Sequence, residues 1–140
     1  MPIQSETELY LPIKQFFEAL DYTVRSEVNH CDLVAIRGNE EPIVIELKKT
    51  FNLPLLIQGV TRLSTSNHVY LAVEQIHRDY GPYRLKWKEI IRLCRRLGVG
   101  LLTVRFFKKK KPVVEVLCDP TPYTPKTNRS RKKKLIQEFH

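Results

Sequence analysis

Apolar residues recur along the chain with two alternating periods, and the switches between them divide it into elements. Over residues 5–20, Leu9, Ile13, Phe16, Phe17 and Leu20 return at three- and four-residue steps, the spacing of one helix face. Ser5 stands where an N-cap belongs and Glu8 follows three residues later, the pattern of a capping box. Pro12 removes one backbone donor from this run and predicts a kink or a later helix start. The period then drops to two. "YTVRSEV" (22–28) and "CDLVAIR" (31–37) alternate as strands, "GNEEP" (38–42) is a turn, and "PIVIELKKT" (42–50) carries a third strand. Connections this short predict an antiparallel meander.

Helical spacing returns after Asn52, a cap residue, with Pro54 tolerated in the first turn and Leu55, Leu56, Gly59, Val60 and Leu63 forming the apolar stripe. "HVYLAVE" (68–74) is a fourth strand reached through that helix, so it is expected to pair in parallel with an earlier strand by a right-handed crossover. "HRDYGPYR" (77–84) reads as a loop. Residues 86–97 predict an amphipathic helix, with Trp87, Ile90, Ile91, Cys94 and Leu97 inward and Lys88, Arg92 and Arg95 outward. "VGLLTVRF" (99–106) and "VVEVLC" (113–118) read as a hairpin about "KKKKP", and "DPTPYTP" (119–125) as an extended linker before a basic tail. No internal repeat is visible. The order α-β-β-β-α-β, then α-β-β, predicts an α/β fold: a mixed sheet flanked by helices, forming one domain over 1–118, with the linker and tail over 119–140.

A length of 140 residues suits one domain with a sizeable core, and 42% hydrophobic with 28% charged residues is a soluble globular composition. No apolar run approaches the length a bilayer needs, and a start carrying Pro2, Glu6 and Glu8 lacks the basic and apolar regions of a signal peptide. Three cysteines without a C-x-x-C pair argue against a disulfide framework or structural zinc and for a reducing, cytoplasmic setting.

Charge changes the picture further. The net value is +9, but residues 1–50 hold five Lys/Arg against nine Asp/Glu, a net of −4, and residues 51–140 hold nineteen against six, a net of +13. This asymmetry points to a polyanionic partner, nucleic acid, for the second half. The candidate phosphate contacts are Lys88, Arg92 and Arg95; the turn Lys108, Lys109, Lys110 and Lys111; and the tail with Arg129, Arg131, Lys132, Lys133 and Lys134. Each set alone reads equally as a solvated face or, for the tail, as disorder. Few aromatics lie among them, so contacts to the nucleic-acid backbone are expected rather than base reading.

The third strand contains the chemistry. Glu46 and Lys48 lie two apart, on one face of an otherwise apolar strand, where unpaired charge is costly. On the preceding strand Asp32, Val34 and Ile36 share a face, and meander pairing can set Asp32 beside Glu46. Two carboxylates and a lysine at one spot suit Mg²⁺, which takes one or two carboxylates and completes its shell with waters and substrate phosphate; Mn²⁺ can substitute. The backbone carbonyl of Leu47 can add a ligand. Lys48 can orient or help deprotonate the attacking water and stabilise charge on a phosphate. The alternative is a buried ion pair of Glu46 with Lys48 or Arg62, which would add little net stability.

Asp32, a further strand and then Glu46-Leu47-Lys48 resemble the PD-(D/E)XK nuclease superfamily, the fold of restriction endonucleases and archaeal Holliday junction resolvases. The resemblance spans residues 5 to 74 and includes the α-β-β-β-α-β order. It implies metal binding by Asp32 and Glu46, water activation by Lys48, a helix-one acid at Glu8 and a polar helix residue at Gln58. Glu8 is equally explained by its capping box, and Gln58 and the nearby Arg62 by the polar edge of an amphipathic helix. His30 reads as an exposed turn residue, Lys49 as a strand-end surface residue and Cys31 as a small core residue. The runs "ETELYLPIKQFFEALDYTVRSEV", "CDLVAI", "IVIELK", "FNLPLLIQGVTRL" and "RRLGVGLL" look like an uncharacterised bacterial branch of PD-(D/E)XK phosphodiesterases. Members of that branch continue past the point where this chain stops, which implies a truncated or short variant. One departure is Cys31 in place of the Pro that often precedes the Asp.

The resemblance implies a Mg²⁺-dependent hydrolase of nucleic acid, DNA above RNA, with a homodimer possible because many nucleases of this fold pair up. The competing readings are a nucleic-acid-binding module that keeps the fold without cutting, and an interaction domain pairing through the open edge of the 99–118 hairpin.

Overall fold

The computed structural model describes residues 3–75, 86–122 and 127–140. The loop expected over 77–84 lies outside the described residues. Helix α1 (Thr7–Glu18) opens the fold and buries Leu9, Ile13 and Phe17, the four-residue stripe of the sequence, with Pro12 inside it. Strand β1 (Thr23–Val28) pairs antiparallel with β2 (Cys31–Ile36). Their two-residue turn, Asn29–His30, has φ of 49° and 69°, the left-handed backbone that the tightest hairpins require and that Asn tolerates. Strand β3 (Ile43–Leu47) pairs antiparallel with β2, setting Leu33 opposite Ile45.

Helix α2 (Leu53–Arg62) begins at Asn52, whose side chain accepts the Leu55 N–H at 2.9 Å. It leads to β4 (His68–Glu74), which pairs parallel with β3 as the crossover predicts. Helix α3 (Trp87–Leu97) ends at Gly98, whose φ of 80° makes it a left-handed C-cap. Strand β5 (Gly100–Arg105) then pairs parallel with β4, and β6 (Val113–Cys118) antiparallel with β5. The six strands lie in sequence order across one mixed sheet.

Both faces of the central strands are buried, which explains why they read as apolar runs. One face sets Leu33, Ala35, Ile43, Ile45, Ala72 and Leu102 against α1. The other sets Val44, Val69, Leu71, Val73 and Leu101 against Leu55 and Leu56 of α2 and Cys94 of α3. Helix α2 lies close on the sheet: a Cβ at Gly59 would stand 2.4 Å from Leu71 Cδ2.

Two features differ from expectation. Helix α1 starts at Thr7, with Glu6 at its N-cap and no side-chain cap bond, because the Ser5 hydroxyl meets Thr7 Oγ1 instead. The basic tail contains a helix, α4 (Arg129–Phe139), in which the Asn128 side chain accepts the Arg131 N–H at 3.0 Å. Its run of like charges opposes helix formation, but the cap and eleven residues free of Gly and Pro favour it. Among the described residues, no helix is long and apolar enough to cross a membrane.

Candidate active site

The β2–β3 ladder stops at Leu33 and Ile45, and side chains take over one step further on. The Asp32 N–H donates to Glu46 Oε2 at 3.1 Å, and the Leu47 N–H donates to Asp32 Oδ2 at 2.8 Å. Each carboxylate thus accepts a backbone donor of the opposite strand, which fixes both acids where the strands part. The Lys48 N–H donates to the Ala72 carbonyl at 3.1 Å, continuing the β3–β4 ladder and holding the Lys48 backbone in place.

A groove of about 460 Å³ opens at this point. Asp32, Leu47 and Lys48 form one side, Gln58 of α2 contributes from a second, and Ser26 and Glu27 of β1 with Glu6, Thr7 and Tyr10 at the start of α1 close it. Glu27 has a φ of 53°, an uncommon backbone for a non-glycine residue. Asp32 lines this groove while its Oδ2 accepts the Leu47 N–H, so its carboxylate forms part of the groove wall.

Glu46 is set deeper and is 1% exposed. Its Oε1 accepts from Arg62 Nε at 2.5 Å, while Arg62 Nη2 donates to the His30 carbonyl at 2.8 Å. Burial pushes the Glu46 carboxyl above its usual range; the Arg62 guanidinium and the Asp32 N–H pull it back down. The same hydrogen bond raises Arg62. The sequence left a metal ligand and a buried ion pair as competing readings of Glu46; the pairing with Arg62 is present, and the Asp32 contact is present with it.

The structure therefore brings Asp32, Glu46, Leu47, Lys48 and Gln58 to one place. Glu8 is elsewhere: it is not among the groove's described lining residues, and its Oε2 accepts the N–H groups of Gln4 at 2.6 Å and Ser5 at 3.3 Å. The reciprocal half of the capping box explains it. The helix-one acid on the groove is Glu6. Helical spacing could have found it, since Glu6 and Tyr10 lie four apart on one face while Glu8 and Tyr10 do not. The hairpin residue Glu27 could have been found from its place beside Asp32 across the β1–β2 turn. His30 is an exposed turn residue, Cys31 is buried, and Lys49 is half-buried at the strand end.

The basic residues form separate sets. Lys88, Arg92 and Arg95 are exposed on α3, Lys108, Lys109, Lys110 and Lys111 sit in the turn after β5, and Arg131, Lys132 and Lys133 lie along α4. The Lys110 ammonium rests 4.0 Å from the Phe107 ring centroid.

The donors here are hard oxygens: Asp32 and Leu47 on the groove wall, with the buried Glu46 carboxylate hydrogen-bonded behind Asp32. No cluster of three or more His, Cys, Asp and Glu side chains placed to hold a metal occurs among the described residues. Oxygen donors of this kind suit a hard divalent cation, which completes its shell with water.

Comparison with known proteins supplies one match. Residues 102–140, from within β5 through α4, match the family described as "Putative PD-(D/E)XK phosphodiesterase (DUF2161)". The matched segment contains none of Asp32, Glu46 and Lys48. No curated protein and no solved structure matches the chain. The PD-(D/E)XK resemblance, read from the first half of the chain through Asp32, Glu46 and Lys48, is thus supported independently by its last third, which matches a family of phosphodiesterases, hydrolases by that description.

Proposed function

We propose that the chain is a divalent-metal-dependent phosphodiesterase that hydrolyses the nucleic-acid backbone, with DNA favoured over RNA and Mg²⁺ as its metal. The observation behind this reading is the reciprocal bonding of Asp32 and Glu46 at the parted ends of two core strands, beside Lys48 on an open groove. A stability argument alone gives little reason to place two carboxylates there, because buried ion pairs add little net stability.

Asp32, on the groove wall, would hold the metal, with Glu46 and the Leu47 carbonyl behind it. When bound, the cation supplies positive charge to the scissile phosphate and acidifies the attacking water. Lys48, on the groove wall, would orient that water or take up charge developing on the phosphate oxygens. Gln58 offers an amide to hydrogen-bond water or a phosphate oxygen, and Glu6 adds an acid across the groove. The Arg62 hydrogen bond holds the Glu46 carboxyl beside Asp32 and opposes the upward push that burial gives it.

The test is a cleavage assay on single-stranded, duplex and branched DNA and on RNA with Mg²⁺ or Mn²⁺, with EDTA and Asp32→Asn as controls. Metal-dependent cutting that disappears in the variant supports the reading. Absence of cutting on every substrate, with salt-sensitive binding intact in both proteins, favours the non-catalytic binding module.

A further inference from the structure

A second groove lies between α3 and β6. It has a volume of about 430 Å³ and is lined by Lys88, Arg92, Arg95 and Arg96 over Ile91 and Leu117. The five α3 residues fall at 88, 91, 92, 95 and 96, one stripe of a helix, and Leu117 of β6 forms the facing wall. All four cations are exposed, and among the described residues none of them makes an ion pair. Lys88 with Arg92, and Arg92 with Arg95 and Arg96, stand at like-charge spacings that oppose the helix. Such repulsion is relieved when an anion lies between them. Among the described residues no carboxylate lines the groove.

Position gives the groove its meaning. The short Gly98–Val99 link turns α3 back antiparallel to β5, so the Lys88 end of the helix lies at the same sheet edge as Leu47 and Lys48. Helix α3 packs on β5 and β6, two to three strands from β3. At about 4.8 Å per strand, α3 is offset sideways by roughly 10–15 Å from β3, the strand of the first groove nearest to it. From Lys88 to Arg96 the helix rises about 12 Å more.

We propose that the groove between α3 and β6 is a track for the phosphate backbone of the same nucleic acid whose cleavage is proposed at Asp32, gripping a segment away from the scissile bond. The class of ligand is a phosphodiester polyanion, held by charge and independent of sequence, with sugar faces resting on Ile91 and Leu117. One strand carries a charge about every 3.4 Å of axis, so the 12 Å stripe spans about three to four phosphates. Reaching α3 takes roughly four nucleotides, and filling the groove takes about seven or eight. The proposal rests on the function above for its account of which molecule binds, and it adds a length requirement that the cleavage groove alone does not impose.

The experiment is fluorescence anisotropy of the full chain with labelled DNA of 4 and 16 nucleotides, in EDTA, between 50 and 200 mM KCl. The proteins are wild type, Arg92→Ala/Arg96→Ala and, as a charge-matched control, Arg129→Ala/Arg131→Ala in α4. Loss of two phosphate contacts is expected to lower the salt slope by about 1.4 on single strands or 1.8 on duplex. Wild type is expected to bind the 16-mer, which can fill both grooves, more tightly than the 4-mer, which can fill only one; the groove variant is expected to lose at least tenfold in affinity for the 16-mer, and the control distinctly less. Equal affinity of the groove variant and wild type would overturn the proposal, as would an equal loss in the control. Turnover of bis(4-nitrophenyl) phosphate with Mn²⁺, a substrate too small to span the grooves, is measured in parallel. Its absence in wild type would count against the catalytic reading while leaving the binding result to judge the track.

Discussion

Replacing Arg62 by Met would remove the guanidinium from Glu46 while keeping an apolar stem of similar reach. Breaking one partner of a buried pair commonly costs about 3–5 kcal/mol, because the remaining charge stays in the protein without its counter-ion. Here the cost is smaller. Arg62 is 23% exposed at its side chain, so water screens the pair, and Glu46 retains the Asp32 N–H. The expected loss is about 2–3 kcal/mol at pH 8 in metal-free buffer. At about 3–4 °C per kcal/mol for a chain of this size, Tm falls by about 8 °C.

The pH dependence tests the cause. Burial raises the Glu46 carboxyl in the folded protein, and the Arg62 hydrogen bond opposes that rise. Without Arg62 the folded value climbs further. A carboxyl raised on folding binds more protons in the native state, so the stability it contributes is greatest below its unfolded value and is lost as pH rises through the folded value. Urea unfolding in EDTA should therefore show a larger deficit for Arg62→Met at pH 8 than at pH 5. Adding Glu46→Gln, which removes the buried charge, should recover part of the loss at pH 8, measured as a double-mutant cycle. A deficit that is equal at both pH values, or below about 0.5 kcal/mol, would refute the view that Glu46 is held as a buried, paired carboxylate.

Three further outcomes are expected. Lys48→Ala should cut metal-dependent turnover by about 10²–10⁴-fold while shifting Tm by less than about 2 °C, measured by kinetics and thermal melts on one preparation. Glu8→Ala should cost about 1 kcal/mol by urea unfolding with turnover intact, because it loses a cap, whereas Glu6→Ala should lower turnover with stability intact; the reverse pattern would return the helix-one role to Glu8. Gly100→Ala should destabilise by about 1–3 kcal/mol in denaturant melts, since its Cβ would stand 2.5 Å from the Tyr70 ring and 2.8 Å from Pro120, disturbing the Tyr70–Asp119 hydrogen bond.

The parts of the fold that were legible from the sequence are those where one local rule decides. Period two located β1 to β3, Asn52 with Pro54 located the start of α2, and the length of the 52–67 connection separated the parallel β3–β4 pair from the antiparallel meander. Where two local rules compete, the outcome was not legible. Ser5 had both the α1 backbone and the Thr7 hydroxyl as partners, and the hydroxyl contact in the structure leaves the helix without its expected cap. The run at 129–139 set helix propensity against like-charge repulsion, and an exposed helix with a capped start is the result.

The same distinction runs through the site. Pairing Asp32 with Glu46 required only that two strands share a register, and the apolar alternation of β2 and β3 fixes that register, because a one-residue slip would turn Leu33 and Ile45 out of the core. The outer wall depends instead on which turn of α1 reaches the sheet edge, a tertiary property. Leu9, Ile13 and Phe17 set the rotation of α1 on the sheet, and that rotation carries Glu6 and Tyr10 to the groove while turning Glu8 back toward its own N-terminus. Changing the buried stripe should therefore act on the groove without touching it. Ile13→Val, a loss of one methylene, is expected to cost about 1 kcal/mol of stability, and the small rotation it permits should affect turnover in the wild-type background more than in Glu6→Ala. Equal relative effects in the two backgrounds would mean that α1 contributes stability alone and that the acid at Glu6 lies on the groove without acting in it.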